Sequence, residues 1–189
     1  LFPLHQSLTT LLSAAQTFSL SPNRQLIAAL VQGNQLQVID EDGLAVIDPL
    51  VFPVTPDNLL WSPDNSSLLV IATGQVSLVR LAGSSQPARL TALDQASQLA
   101  WDQRLPGRIY ALTRIGDLIA YSVSSQSSQV IASNIIHFAT SSRQLFMVDQ
   151  DNQIQIRSLQ GNLIDSPLIE TDKPIQLLHV TPGGQIAIQ

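Results

Sequence analysis

Cysteine is absent from the 189 residues, which leaves no disulfide framework, thiolate metal site or cysteine nucleophile. Charge is scarce as well: charged residues make up 12% of the chain and the formal net charge is −5. Lys173 is the one lysine, beside eight arginines scattered from Arg24 to Arg157. Phosphate neutralisation takes clustered lysine and arginine, so no nucleic acid partner is expected. No apolar run approaches the roughly 18 residues of a membrane-spanning helix, so no membrane insertion by this segment is expected. The leucine-rich opening, Leu1 to Ala15, is interrupted by His5 and Gln6 and lacks the basic start of a secretory signal. Stretches with helical period and caps are missing too.

What the chain does have is a short pattern that returns about every forty residues. Leu20-Ser21-Pro22-Asn23 leads into Leu26-Ile27-Ala28-Ala29-Leu30-Val31, and Trp61-Ser62-Pro63-Asp64 leads into Leu68-Leu69-Val70-Ile71-Ala72. Aligning the last residue of each first strand gives Leu20, Trp61, Trp101, Phe138 and Val180, at intervals of 41, 40, 37 and 42 residues. Self-similarity at this period marks a repeat architecture, and strands at this spacing point to propeller blades. The expected fold is all-β: a propeller fragment of four four-stranded antiparallel blades and part of a fifth, in one repeat domain over residues 1–189.

Each unit reads as four strands. The second is a continuous apolar run suited to burial on both faces, as in Ile109-Tyr110-Ala111-Leu112 and Leu145-Phe146-Met147-Val148. The third alternates, as in Gln35-Leu36-Gln37-Val38 and Gln153-Ile154-Gln155-Ile156. Turns between second and third strands are expected at Gly33-Asn34, Gly74, Gly116-Asp117 and Asp151-Asn152. Turns between third and fourth are expected at Asp42-Gly43, Gly83, Ser124 to Ser128 and Gly161-Asn162. Leu8 to Leu11 precedes Leu20 by nearly the distance at which Leu90 to Leu93 precedes Trp101. That match suggests an orphan outer strand. With only a second strand fitting after Val180, the piece reads as unclosed and cut from a longer chain, its edges at residues 1–20 and 175–189 left unpaired.

Trp61-Ser62-Pro63-Asp64-Asn65 followed by Leu68-Leu69-Val70 resembles the repeat core of WD-repeat-like, TolB-type propellers. Arg108 to Leu112 with Gly116 to Tyr121 is similar to the propeller regions that accompany PEGA domains in bacterial cell-surface proteins. The resemblance covers most of residues 18–189 but keeps the Ser-Pro pair in two copies only. It implies a fold and a compartment, the bacterial cell envelope or outer surface, with the cytoplasm left open. It implies no reaction.

Residues that could carry chemistry each have a structural alternative. Trp61 and Trp101 are candidate sugar-stacking platforms, or fillers of the gap between blades. Asp64 and Asp102 could act as an acid and base pair, or accept hydrogen bonds from their own turns. His137 and His179 each precede an anchor and could meet over a metal, although a third ligand at fitting spacing is missing. Asp40 to Gly43 and Asp149 to Asn152 have the oxygen density of calcium loops without the distal glutamate. Gly183-Gly184 is a lone pair rather than a phosphate loop, and no serine sits in a nucleophile elbow. In every case the structural duty is the stronger reading, so no catalytic, cofactor or metal site is expected.

Two functions remain. One is a non-catalytic scaffold binding a protein or cell-wall component; the other is the propeller portion of a larger enzyme, such as a peptidase gating domain or a polysaccharide-active propeller.

Overall fold

The computed structural model describes residues 15–31, 34–83, 86–166, 175, 178–180 and 186–188. The chain divides into two compact units, Leu1–Asp94 and Gln95–Gln189.

The first unit holds two sheets. One comprises β1 (Ala15–Leu20), β2 (Leu26–Val31), β3 (Gln35–Asp40) and β4 (Leu50–Val51). The other comprises β5 (Asn58–Trp61), β6 (Ser67–Ala72), β7 (Gln75–Arg80) and β8 (Ala88–Arg89). The second unit repeats the plan with β9 (Gln98–Trp101), β10 (Arg108–Leu112), β11 (Leu118–Ser122) and β12 (Ser127–Ala132). Next come β13 (Ile135–Thr140), β14 (Gln144–Asp149), β15 (Ile154–Ser158) and β16 (Leu163–Asp165). A fifth sheet pairs β17 (Leu178–Val180) with β18 (Ile186–Ile188). All pairings are antiparallel between sequence neighbours, the meander expected of propeller blades. Within each unit the first strands of successive sheets approach one another: β1 lies by β5, and β13 by both β9 and β17.

Packing follows from the patterns of the strands. The apolar second strands are the most buried elements, with Ala28, Leu30, Leu68, Tyr110, Leu145 and Met147 wholly enclosed. In the first unit Trp61 packs against Ala28, Leu30 and Val38 of the preceding sheet. Its indole Nε1–H donates to the Ser19 carbonyl at 3.1 Å. Trp61 thus fills the gap between two blades. In the second unit Phe138, Leu145 and Met147 pack against Tyr110, Leu112 and Leu118 in the same manner.

The turns largely follow the sequence. Thr73 and Gly74 take φ of 47° and 76° between β6 and β7. Gly116 takes φ +87°, and a Cβ there would stand 3.2 Å from the Ile135 carbonyl oxygen, so the turn requires glycine. Gly33, the Leu8 to Leu11 strand, Lys173 and Gly183-Gly184 lie outside the described residues.

Three expectations need correction. Thr91–Leu93 is a short 3-10 turn, and the fourth strand it was matched to is Ala88–Arg89, which removes the template for the strand at Leu8 to Leu11. Ser127 and Ser128 belong to β12, so the serine-rich turn ends earlier, because Ser127 and Ser128 pair with Ser122 and Tyr121. The fourth anchor shifts from Phe138 to Thr140. Leu20, Trp61 and Trp101 pair with the second residue of the next strand, Ile27, Leu68 and Ile109, Val180 pairs with Ile186, and in the fourth sheet it is Thr140 that pairs with the second residue, Leu145. Phe138 drew the alignment because it is the largest side chain of its strand, yet it sits two residues earlier, opposite Met147.

Trp61→Ala is expected to lower unfolding free energy by about 3–5 kcal/mol, the range for deleting a large core aromatic. In urea denaturation monitored with hydrogen exchange, the lost protection should centre on the first unit, because repeats chiefly contact their neighbours. A loss below about 1 kcal/mol, typical of surface positions, would show that the indole does not fill the gap.

Candidate functional site

The carboxylates singled out by the sequence are taken up by their own turns. Asp64 Oδ1 accepts from Ser62 Oγ at 2.6 Å and from the Ser66 amide at 3.2 Å. Partial burial pulls the Asp64 pKa upward, but the hydrogen bonds from Ser62 and Ser66 outweigh it and the carboxyl ends below its ordinary range. Asp102 Oδ1 accepts from the Arg104 amide at 2.8 Å and the Leu105 amide at 3.1 Å. The two aspartates lie in different units, each engaged locally.

The acidic hairpins behave alike. Asp40 Oδ1 accepts from the Asp42 and Leu44 amides at 3.0 and 2.9 Å. Asp149 Oδ1 accepts from the Asp151 and Gln153 amides at 3.1 and 2.9 Å. Among the described residues no group of three or more His, Asp or Glu side chains could hold a metal. His137 lies half-buried in β13, and the side chain of His179 lies outside the described residues. With Thr140 as the anchor, His137 stands three residues before its strand end and His179 one before, so the two are not at equivalent positions. Trp101 is buried at the end of β9.

Asp102 also belongs to an arrangement that the sequence did not reveal. It is fully buried, and its Oδ2 lies 3.0 Å from the Tyr110 hydroxyl and 3.8 Å from Arg108 Nη1. The same hydroxyl lies 2.8 Å from the Leu159 carbonyl, so one phenolic proton serves two acceptors. Burial raises the Tyr110 pKa well above its ordinary value and the Asp102 charge adds to this, keeping the phenol a donor. Arg108 Nη1 donates to the Leu159 carbonyl as well, at 3.3 Å. From the other side Arg157 Nη1 donates to the carbonyls of Ile131 and Gly161, at 3.3 and 2.9 Å. Tyr110 and two arginines therefore clamp the β15–β16 hairpin onto the third sheet.

Above this clamp the space between the third and fourth sheets opens into a cleft of about 190 Å³. Its walls include Arg108, Ser122, Ser127, Gln129, Leu159 and Gln160. The cleft exists because the apolar face of the third sheet, led by Tyr110 and Leu118, gives way to the short side chains of Ala120, Ser122 and Ser127. Small-molecule sites run from roughly 300 Å³ upward, so this cleft suits a single side chain rather than a cofactor. The Ser124 to Ser128 run was its only trace in the sequence, and it reads equally well as a turn.

Tyr110→Phe should cost about 1–3 kcal/mol, because it leaves the buried Asp102 carboxyl without its phenolic partner. Loss of exchange protection in residues 158–161 would distinguish the clamp from a general packing defect. Asp64 supplies a pH test. Its folded pKa is depressed, so its stabilisation is present above its unfolded pKa of about 3.9 and is lost as pH falls through the folded value. Asp64→Asn should therefore be less stable than the parent near about pH 5, and the gap between denaturation midpoints should close as pH falls through the depressed folded pKa of Asp64.

No protein-family model matches the sequence, and no curated protein matches it. Solved structures do. The β-propeller domain of Swd1 from Myceliophthora thermophila is 14% identical with a TM-score of 0.65, over 90% of this chain and 60% of that one. The C-terminal WD40 domain of Sif2 is 12% identical with a TM-score of 0.67, over 92% and 51%. The complex of S. cerevisiae Dbp5 bound to Nup159 and Gle1 matches at 19% identity with a TM-score of 0.57, over 81% and 43%. The chain thus spans about half the length of the structures it matches. At these identities what is shared is the fold, and that fold is a WD-repeat-like β-propeller.

Proposed function

We propose that this chain is a non-catalytic propeller scaffold that binds a protein partner at the bacterial cell surface or envelope. The observation that carries the reading is the polar cleft beside the exposed strand β12, with Arg108 in its wall and sized for a partner's side chain. The Asp64, Asp102, Asp40 and Asp149 carboxylates accept hydrogen bonds within their own hairpins, which supports structural rather than chemical duty. Solved propellers of this type support it further, since one match is a complex of Dbp5 bound to Nup159 and Gle1. The envelope setting rests on the resemblance of Trp61 to Asn65 and Arg108 to Tyr121 to TolB-type and PEGA-associated propellers. A cell-wall component is the other partner that this setting offers. No helix among the described residues is long and apolar enough to cross a membrane.

The test is a benzophenone amino acid placed at position 129, in the cleft wall, and at position 41, on an exposed hairpin, in the full chain expressed in a bacterial host. Irradiation should yield protein adducts in the envelope fraction from position 129 and not from position 41. Equal labelling at both positions, or hydrolysis of peptide or polysaccharide substrates by the purified chain, would overturn the proposal.

A further inference from the structure

The fourth strands of the sheets differ in a way that singles out one of them. β4, β8 and β16 run two, two and three residues, while β12 runs six. Very short edge strands and edge charges are common means of keeping a sheet from pairing with another chain. β12 has neither protection. It is the edge of its sheet, its sequence Ser-Ser-Gln-Val-Ile-Ala carries no charge and no proline, and its first four residues are exposed. Val130 is 55% exposed. The far end is already engaged, because Arg157 donates to the Ile131 carbonyl at a register shift opposite Leu118 and Ile119. The open stretch is residues 127–130.

We propose that β12 receives an extended segment of a partner polypeptide as a fifth strand, with an acidic side chain of that segment seated in the cleft against Arg108. This deepens the protein-binding reading and rests on it. Strand addition draws its affinity from main-chain hydrogen bonds and its specificity from pockets that take alternate side chains. Both elements are adjacent here, since Ser127 and Gln129 belong to the strand and also line the cleft. Side chains of an added strand would alternate between the two faces, placing every second one on the cleft side.

Charge complementarity selects the acid. Arg108 is the one ionisable residue in the cleft wall and its side chain is 30% exposed. The Leu159 carbonyl engages Nη1, and a guanidinium has five N–H donors in a fork that matches a carboxylate. Asp102 is fully buried behind it, 3.8 Å from the same Nη1, and does not itself line the cleft. Area argues for a segment over a second copy of the chain. An edge of six residues is about 20 Å long, and stable interfaces between folded proteins bury about 1,200–2,000 Å². A thin segment can use the edge and the cleft together.

The experiment titrates the full, isotope-labelled chain with an acetylated peptide of about seven residues, alternating threonine and valine around one central glutamate. Saturable shifts should be confined to the amides of residues 127–131 and the Arg108 side chain. Methylating one of the two alternating sets of peptide nitrogens should weaken binding about tenfold or more, and so should replacing glutamate by lysine. Val130→Lys, at an exposed position, should abolish the shifts with Tm unchanged. Absence of shifts at 127–131, or full binding by both methylated peptides, overturns the proposal. If the same amides shift with protein concentration alone, the edge belongs to a second copy and the proposal also falls. If position 129 still crosslinks to protein when these peptide results fail, the scaffold reading stands and only strand addition is lost.

Discussion

One polar residue at the end of each first strand holds the repeat together. Ser21, Ser62, Asp102 and Ser141 are the buried polar side chains among the described residues, and all four occupy the same place in their blades. Each sends its backbone N–H across the hairpin to the carbonyl of the first residue of the next strand, at 2.8 to 3.0 Å. Each side-chain oxygen also accepts turn amides: Leu26 on Ser21, Ser67 on Ser62, Arg104 and Leu105 on Asp102, Arg143 and Gln144 on Ser141. A buried amide without a partner costs about 1–3 kcal/mol. The short polar residue is therefore what permits a tight turn to stay enclosed beneath the next blade.

From that constraint the packing of each unit follows. Once the first hairpin is set, the second strand must run through the middle of its sheet and bury both faces, which is why it is apolar throughout. Neighbouring sheets are then joined by side chains that carry one polar atom to the right backbone group. Trp61 does this with its indole and the Ser19 carbonyl, and Asn65 does it with the Asn23 amide at 3.0 Å. In the second unit Tyr110, Arg108 and Arg157 perform the same service for the Leu159 and Ile131 carbonyls. The cleft is a by-product of where this polar stitching replaces apolar fill.

Much of the fold was legible because its signals are local. Glycine and asparagine at positive φ, serine and aspartate after a strand, and apolar runs of five or six residues all act within one hairpin. The anchor of the fourth blade was misread by two residues because size stood in for register: Phe138 is prominent in sequence, while Thr140 is the last residue of the strand, opposite Leu145. With Thr140 in place the repeat intervals become 41, 40, 39 and 40 residues. That regularity was hidden by one large side chain.

The sequence by itself determined the architecture, the turn duties of Asp64 and Asp102, and the interior placement of Trp61, because hairpin chemistry and alternation depend on near neighbours. Only the tertiary structure decided the candidate site. Arg108 and Leu159 are 51 residues apart, and nothing in a one-dimensional pattern says that Tyr110 will find the Leu159 carbonyl or that Ser122 will leave a space. Nor does it say that β12, among the four described fourth strands, will run six residues, since strand length at an edge depends on how far the neighbouring strand can pair. Contacts between sheets are set by which faces meet, and that is a property of the packed chain.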